Sequence, residues 1–136
     1  MSFGFGASDC ISIGIMAWNL YLSCKSSAAE FQRLSSDLSN LHVVMKEVAE
    51  AVEHDPTGLS PTRADRFKEV IGNTTKVLEE LKAELDKYNS LDTKTQKKWD
   101  QLRFALKNIS DIKMRLVSAT TTLNAFLSAM TQYVHF

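Results

Sequence analysis

The 136-residue sequence predicts an all-α fold, an antiparallel four-helix bundle with a long fourth helix that bends or projects past the others. Three observations carry this expectation. Apolar residues recur at steps of three and four over most of the chain, the spacing that lines one face of a helix. Gly and Pro number only 5 and 2, and both prolines fall in one stretch, His54-Asp55-Pro56-Thr57-Gly58-Leu59-Ser60-Pro61. No run of apolar residues is long enough for a transmembrane helix of about twenty residues. A chain of this length encloses one hydrophobic core, so a single domain spanning 1–136 is expected.

The first helix, over about 9–24, has Ser8 or Asp9 as its capping residue. Ile11, Ile13, Ile15, Met16, Trp18, Leu20, Tyr21 and Leu22 surround it on all sides. A helix apolar all round is either buried in a protein interior or enters a membrane, and the expected resting place is the centre of the bundle. A second helix, over about 27–54, carries the stripe Phe31, Leu34, Leu38, Leu41, Met45, Val48 and Val52. Ser27-Ala28-Ala29-Glu30 before it has the form of a capping box, with the serine capping and the glutamate reaching back. The third helix, over about 61–88, starts at Ser60-Pro61, where proline gives up an amide that has no helical partner in any case. Its stripe is Phe67, Ile71, Thr74, Leu78, Leu81, Leu85 and Tyr88. The fourth, over about 93–135, follows a second possible capping box, Thr93-Lys94-Thr95-Gln96, and carries Trp99, Leu102, Leu106, Ile109, Ile112, Leu116, Ala119, Leu123, Phe126, Met130 and Tyr133. Unbroken, it reaches about 60 Å at 1.5 Å per residue, so a bend near Ser110 or Thr120-Thr121-Thr122, or a projection, is expected.

Charge narrows the function classes. Sixteen basic residues balance sixteen acidic ones, which removes the broad positive field that nucleic-acid binding needs. The balance is uneven along the chain. Residues 1–62 hold three basic against seven acidic side chains, and the remainder carries the opposite excess. Cys10 to Cys24 and Leu116 to Phe136 have no formal charge. Cys10 and Cys24 lie about 21 Å apart if a helix joins them, far beyond disulfide reach. With no Lys or Arg before Lys25, the start lacks the basic region of a secretory signal. A cytoplasmic protein with free thiols is expected.

Chemistry-bearing residues are few. His42, His54 and His135 stand in no metal-ligand spacing, and no glycine-rich phosphate loop precedes a GKS/T. Neither an enzyme, a cofactor nor a metal is expected. The acidic residues Glu79, Glu80, Glu84 and Asp86 alternate with Lys76, Lys82 and Lys87, the pattern of a solvated helix face. Lys94, Lys97, Lys98 and Arg103 form a basic cluster around Trp99 that could meet an anionic lipid headgroup. Leu123, Phe126, Met130 and Tyr133 are a candidate partner stripe. The first helix offers a membrane and oligomer surface through Phe3, Phe5, Ile11, Ile15, Trp18 and Leu22, with the aromatic rings as interfacial anchors.

Met1-Ser2-Phe3-Gly4-Phe5-Gly6, then Asp9, Ile11, Ala17-Trp18-Asn19, Tyr21 and Ser23-Cys24-Lys25, with Leu41-His42-Val43-Val44 and Lys46-Glu47-Val48, together resemble the amino-terminal domain of fungal NLR-like (STAND) proteins. That domain is similar in helical plan to the Rx-type coiled-coil domain of plant resistance proteins and to HeLo-type cell-death domains. The plant domain's acidic motif has only a loose counterpart here, Glu79-Glu80-Leu81. The resemblance implies a non-enzymatic signalling or cell-death module that self-associates and frees its first helix to perturb membrane lipids, working beside nucleotide-binding and repeat domains of the same full-length chain. The competing expectation is an adaptor that dimerises or docks a partner without membrane activity.

Overall fold

The computed structural model of the chain describes residues 6–55, 60–90 and 96–134, with side chains described over 6–55, 60–90 and 108–130. Apart from short turns these residues are helical, and they contain no strand. The elements are α1 (Ala7–Lys25), α2 (Ala29–Gln32), α3 (Ser35–His54), α4 (Pro61–Ser90) and α5 (Gln96–Val134). α1 packs mainly on α3, α3 on α5, α5 on α4, and α4 in turn touches α1.

Two local corrections concern helix starts. At α1 the N-cap is Gly6, and Asp9 is the third residue of the helix. The Gly6 N–H donates to the Asp9 carboxylate at 2.8 Å, and the Asp9 N–H donates to the Gly6 carbonyl at 3.1 Å. Asp9 therefore supplies the reach-back half of a capping box and places a negative charge at the positive end of the helix dipole. At the second predicted helix, Ser27 does not cap. The residue before α2 is Ala28, which makes no side-chain cap, and the Ser27 hydroxyl is buried without a hydrogen-bond partner. Ser60, by contrast, accepts from the Arg63 N–H at 3.3 Å at the start of α4.

The continuous helix expected over 27–54 is interrupted at Arg33 and Leu34. There the Leu34 N–H donates to the Phe31 carbonyl at 3.0 Å, the tighter i to i+3 closure of a 3₁₀ turn. The Ser35 hydroxyl donates to the Gln32 carbonyl, a serine competing with the helix ladder. Lys113 of α5 donates to the Arg33 carbonyl at 3.4 Å and to the Asp37 carboxylate at 2.6 Å, so α5 holds the junction from outside. Because the step is three residues, Phe31 and Leu34 both stay fully buried.

α5 runs through Ser110 and the threonine run without a break. The hydroxyls of Thr120, Thr121 and Thr122 donate to the carbonyls of Leu116, Val117 and Ser118 at 3.0, 2.9 and 2.9 Å, so they satisfy themselves on their own helix.

The core is assembled from the predicted stripes. Phe31, Leu34, Leu38, Leu41, Met45 and Val48 meet Phe67, Ile71, Leu78, Leu81 and Leu85, with Ile109, Ile112, Leu116 and Leu123. Thr74 is buried among them and donates its hydroxyl to the Val70 carbonyl at 2.7 Å, which offsets the cost of burying it. Tyr88 is half-buried with its ring 5.2 Å from that of Phe31. Trp99, Leu102, Leu106 and Tyr133 lie outside the residues with described side chains.

Candidate functional site

α1 departs from its predicted place at the centre of the bundle. Its inward face is Cys10, Ile13, Gly14, Ala17, Leu20 and Cys24, and four of these six have small side chains. Its outward face carries larger ones: Ile11 is 48% exposed, Ile15 55%, Trp18 39% and Leu22 48%. At about 100° per residue these four fall within a sector of roughly 60°. Beside them lie the exposed Ser8, Ser12, Asn19 and Ser23, a polar sector with no charge. Ordinary surface helices turn their large apolar residues inward, whereas α1 turns inward only Ile13 and Leu20 among mostly small residues and leaves four large ones toward solvent.

The small inward face lets α1 and α3 approach closely. A Cβ on Gly14 would sit 3.5 Å from the Met45 Cβ and 3.8 Å from the His42 Nδ1. His42 uses the approach: its Nδ1–H donates to the Gly14 carbonyl at 2.9 Å. Its ring lies 5.1 Å from that of Trp18, and Trp18 stacks on Tyr21 at 4.8 Å. The Lys25 ammonium stands 5.7 Å from the Tyr21 ring centre. The indole is thus held on two sides while part of it faces solvent, an anchor with little rotamer freedom left to lose on binding.

Cys10 and Cys24 are free and fully buried on the inward face. Burial pushes both thiols up to about 11, with the neighbouring Asp9 charge adding to the effect at Cys10. Protonated, enclosed thiols are poor nucleophiles, so neither is a catalytic candidate. Among the described residues no group of three or more His, Cys, Asp or Glu could hold a metal ion, and no described helix is long and apolar enough to cross a membrane.

The other predicted surfaces divide. Leu123 and Met130 are buried, and Phe126 packs against the core with its ring 5.6 Å from that of Phe67, edge to face. Leu123 and Met130 thus face the protein and Phe126 is partly buried against it; Tyr133 lies outside the residues with described side chains. So do Phe3 and Phe5 of the membrane surface and the whole basic cluster, Lys94, Lys97, Lys98 and Arg103. On α4, Lys82 pairs with Asp86 at 2.9 Å, while Glu80 reaches across to Arg115 of α5, whose guanidinium holds the Glu80 carboxyl below its ordinary value. An open cleft of about 280 Å³ beside that pair is lined by Val70, Asn73, Lys76, Arg115, Ser118 and Thr122, among others. Arg115 there is already engaged by Glu80 and Asp111, and Lys76 is the other cation of the lining.

Ile11, Ile15, Trp18 and Leu22 were legible as candidates, as was the lack of charge from Cys10 to Cys24; the division of the helix into two faces was not. The signal that separates the two faces is side-chain size, since Cys10, Gly14, Ala17 and Cys24 fall together on one side. Comparison of the chain with protein-family models, with curated proteins and with solved structures gives no match.

Proposed function

We propose that the chain is a non-enzymatic signalling module of the kind at the amino terminus of fungal NLR-like receptors, an antiparallel four-helix bundle that acts on membrane lipids through the outward face of α1. The antiparallel arrangement is supported by the short connections between the long helices and by the sequence of contacts from α1 through α3 and α5 to α4. One observation carries the functional reading: four large apolar side chains form a stripe on a helix that turns its small residues inward.

The magnitude supplies the switch. Fully burying a large apolar side chain is worth roughly 1.5–3 kcal/mol, so four half-exposed ones contribute about 4 kcal/mol, a dissociation constant near 1 mM. A single chain at the surface of a bilayer therefore leaves quickly. Several copies held together add their contacts with an effective concentration set by their spacing, and avidity rises by orders of magnitude. On this reading the resting protein is cytoplasmic, and assembly, through nucleotide-binding and repeat domains of the same full-length chain, brings it to membranes. The outward stripe makes complete release of α1 unnecessary for the first contact.

Dye leakage from vesicles tests this directly. The chain fused to an oligomerising tag is expected to release dye, and the unfused chain to release little. Ile15→Glu, at an exposed position that leaves the fold intact by circular dichroism, should abolish leakage by the fusion. Leakage undiminished in that folded variant rules out α1 as the acting surface.

A further inference from the structure

We infer that α1 recognises electrically neutral, loosely packed bilayers by inserting Ile11, Ile15, Trp18 and Leu22 between lipids, with no contribution from headgroup charge. This rests on the membrane reading above and specifies the lipid. Charge is the first argument. Interfacial helices that seek anionic lipids flank their apolar face with Lys and Arg. On α1 the flanking sector is Ser8, Ser12, Asn19 and Ser23. The helix has two formal charges: the Asp9 carboxylate accepts from the Gly6 N–H at 2.8 Å, and a single lysine, Lys25 in the last turn beside the Tyr21 ring, is its one cation. The whole chain is net neutral, sixteen basic against sixteen acidic side chains, so no long-range field draws it to an anionic surface.

Area is the second argument. Four large side chains at about half exposure offer on the order of 300–400 Å². That is half or less of the ~800 Å² each partner contributes to a standard protein interface, and the stripe lies along one face of a single helix. Lipid tails conform to such a face. With one lysine, at the helix end, to draw the helix down and only four partly exposed residues to insert, binding depends on how readily the headgroup layer opens, which is easiest in curved or unsaturated membranes.

Trp99→Phe leaves Trp18 as the sole indole, so in the full chain fused to a tryptophan-free oligomerising tag its emission reports insertion, while sedimentation uses the untagged chain. Small unsaturated phosphatidylcholine vesicles, large saturated ones, and large ones containing phosphatidylserine are the probes, each at low and high salt. The expected result is a blue shift and partitioning at least ~10-fold stronger on the small unsaturated vesicles, unchanged by salt or by phosphatidylserine. Ser12→Lys with Asn19→Lys should transfer the protein to anionic vesicles in a salt-sensitive manner. Binding that requires phosphatidylserine and falls with salt overturns the neutral-lipid inference and leaves the membrane reading intact. Failure to bind any vesicle, with self-association in sedimentation that Ile15→Glu abolishes, assigns the stripe to a second copy and overturns both. Failure to bind any vesicle without self-association overturns both as well.

Discussion

Ser27 carries a hydroxyl that is buried at the turn between α1 and α2 and meets no partner. A buried, unpaired hydroxyl costs about 1–3 kcal/mol, so Ser27→Ala is expected to leave stability unchanged or raise it by about 1 kcal/mol in chemical denaturation. Were Ser27 an N-cap, the same change would cost about 1 kcal/mol, so the two roles predict opposite signs. The thiols make a second prediction at this scale. Folding raises Cys10 and Cys24 from 9.0 to about 11 by burial, which means the folded state keeps protons that the unfolded state releases. Their contribution is complete below about pH 9 and is lost as pH rises toward 11. Thermal melts between pH 8 and 11 should decline more steeply for the native chain than for Cys10→Ala with Cys24→Ala. At neutral pH, iodoacetamide should label both thiols quickly only after denaturation.

α1 is the element in which sequence reasoning was weakest, and the reason is physical. The stripes of α3, α4 and α5 stand out because apolar positions contrast with polar ones, so Leu38, Leu41 and Met45, or Ile71, Leu78 and Leu81, announce an inward face and are buried. On α1 both the inward face and the stripe are apolar; the small Cys10, Gly14 and Ala17 mark the inward side only weakly, because Ile13 and Leu20 lie there too. The break at Arg33 and Leu34 was hidden differently: a three-residue step keeps Phe31 and Leu34 on one side, and the Lys113 contact that secures it comes from 80 residues away. Gly14 tests the α1–α3 approach. An added Cβ meets Met45 and His42 at ordinary contact distances and removes glycine's helix penalty of about 1 kcal/mol, so Gly14→Ala should stabilise by about 0.5–1 kcal/mol. Gly14→Leu overfills the same gap and should destabilise by about 1–3 kcal/mol, with Cys10 and Cys24 becoming faster to alkylate as α1 loosens.

At the scale of the whole molecule, zero net charge conceals two different apolar regions, and they divide their large residues differently between core and surface. The uncharged stretch from Leu116 onward supplies Leu116, Leu123, Phe126 and Met130 to the protein's own packing, whereas the uncharged stretch from Cys10 to Cys24 places half its large residues outside. Stability and binding should therefore separate by position. Leu123→Ala, at a fully buried site, is expected to cost about 2–5 kcal/mol without altering the chemistry of the α1 stripe. Leu22→Ala, 48% exposed, should change stability by no more than about 0.5 kcal/mol and yet weaken vesicle partitioning severalfold. Truncation after Thr122 removes Leu123, Phe126 and Met130 together and uncovers Phe67, which is 4% exposed beside Phe126. Its melting temperature should fall steeply, so a loss of self-association in that truncation would follow from unfolding and would not identify an interface. The decisive pair is Leu22→Ala against Leu123→Ala, compared by melting and by partitioning on the same vesicles. Equal losses of stability in the two would mean that α1 is enclosed as the core is, and the stripe would have no surface to offer.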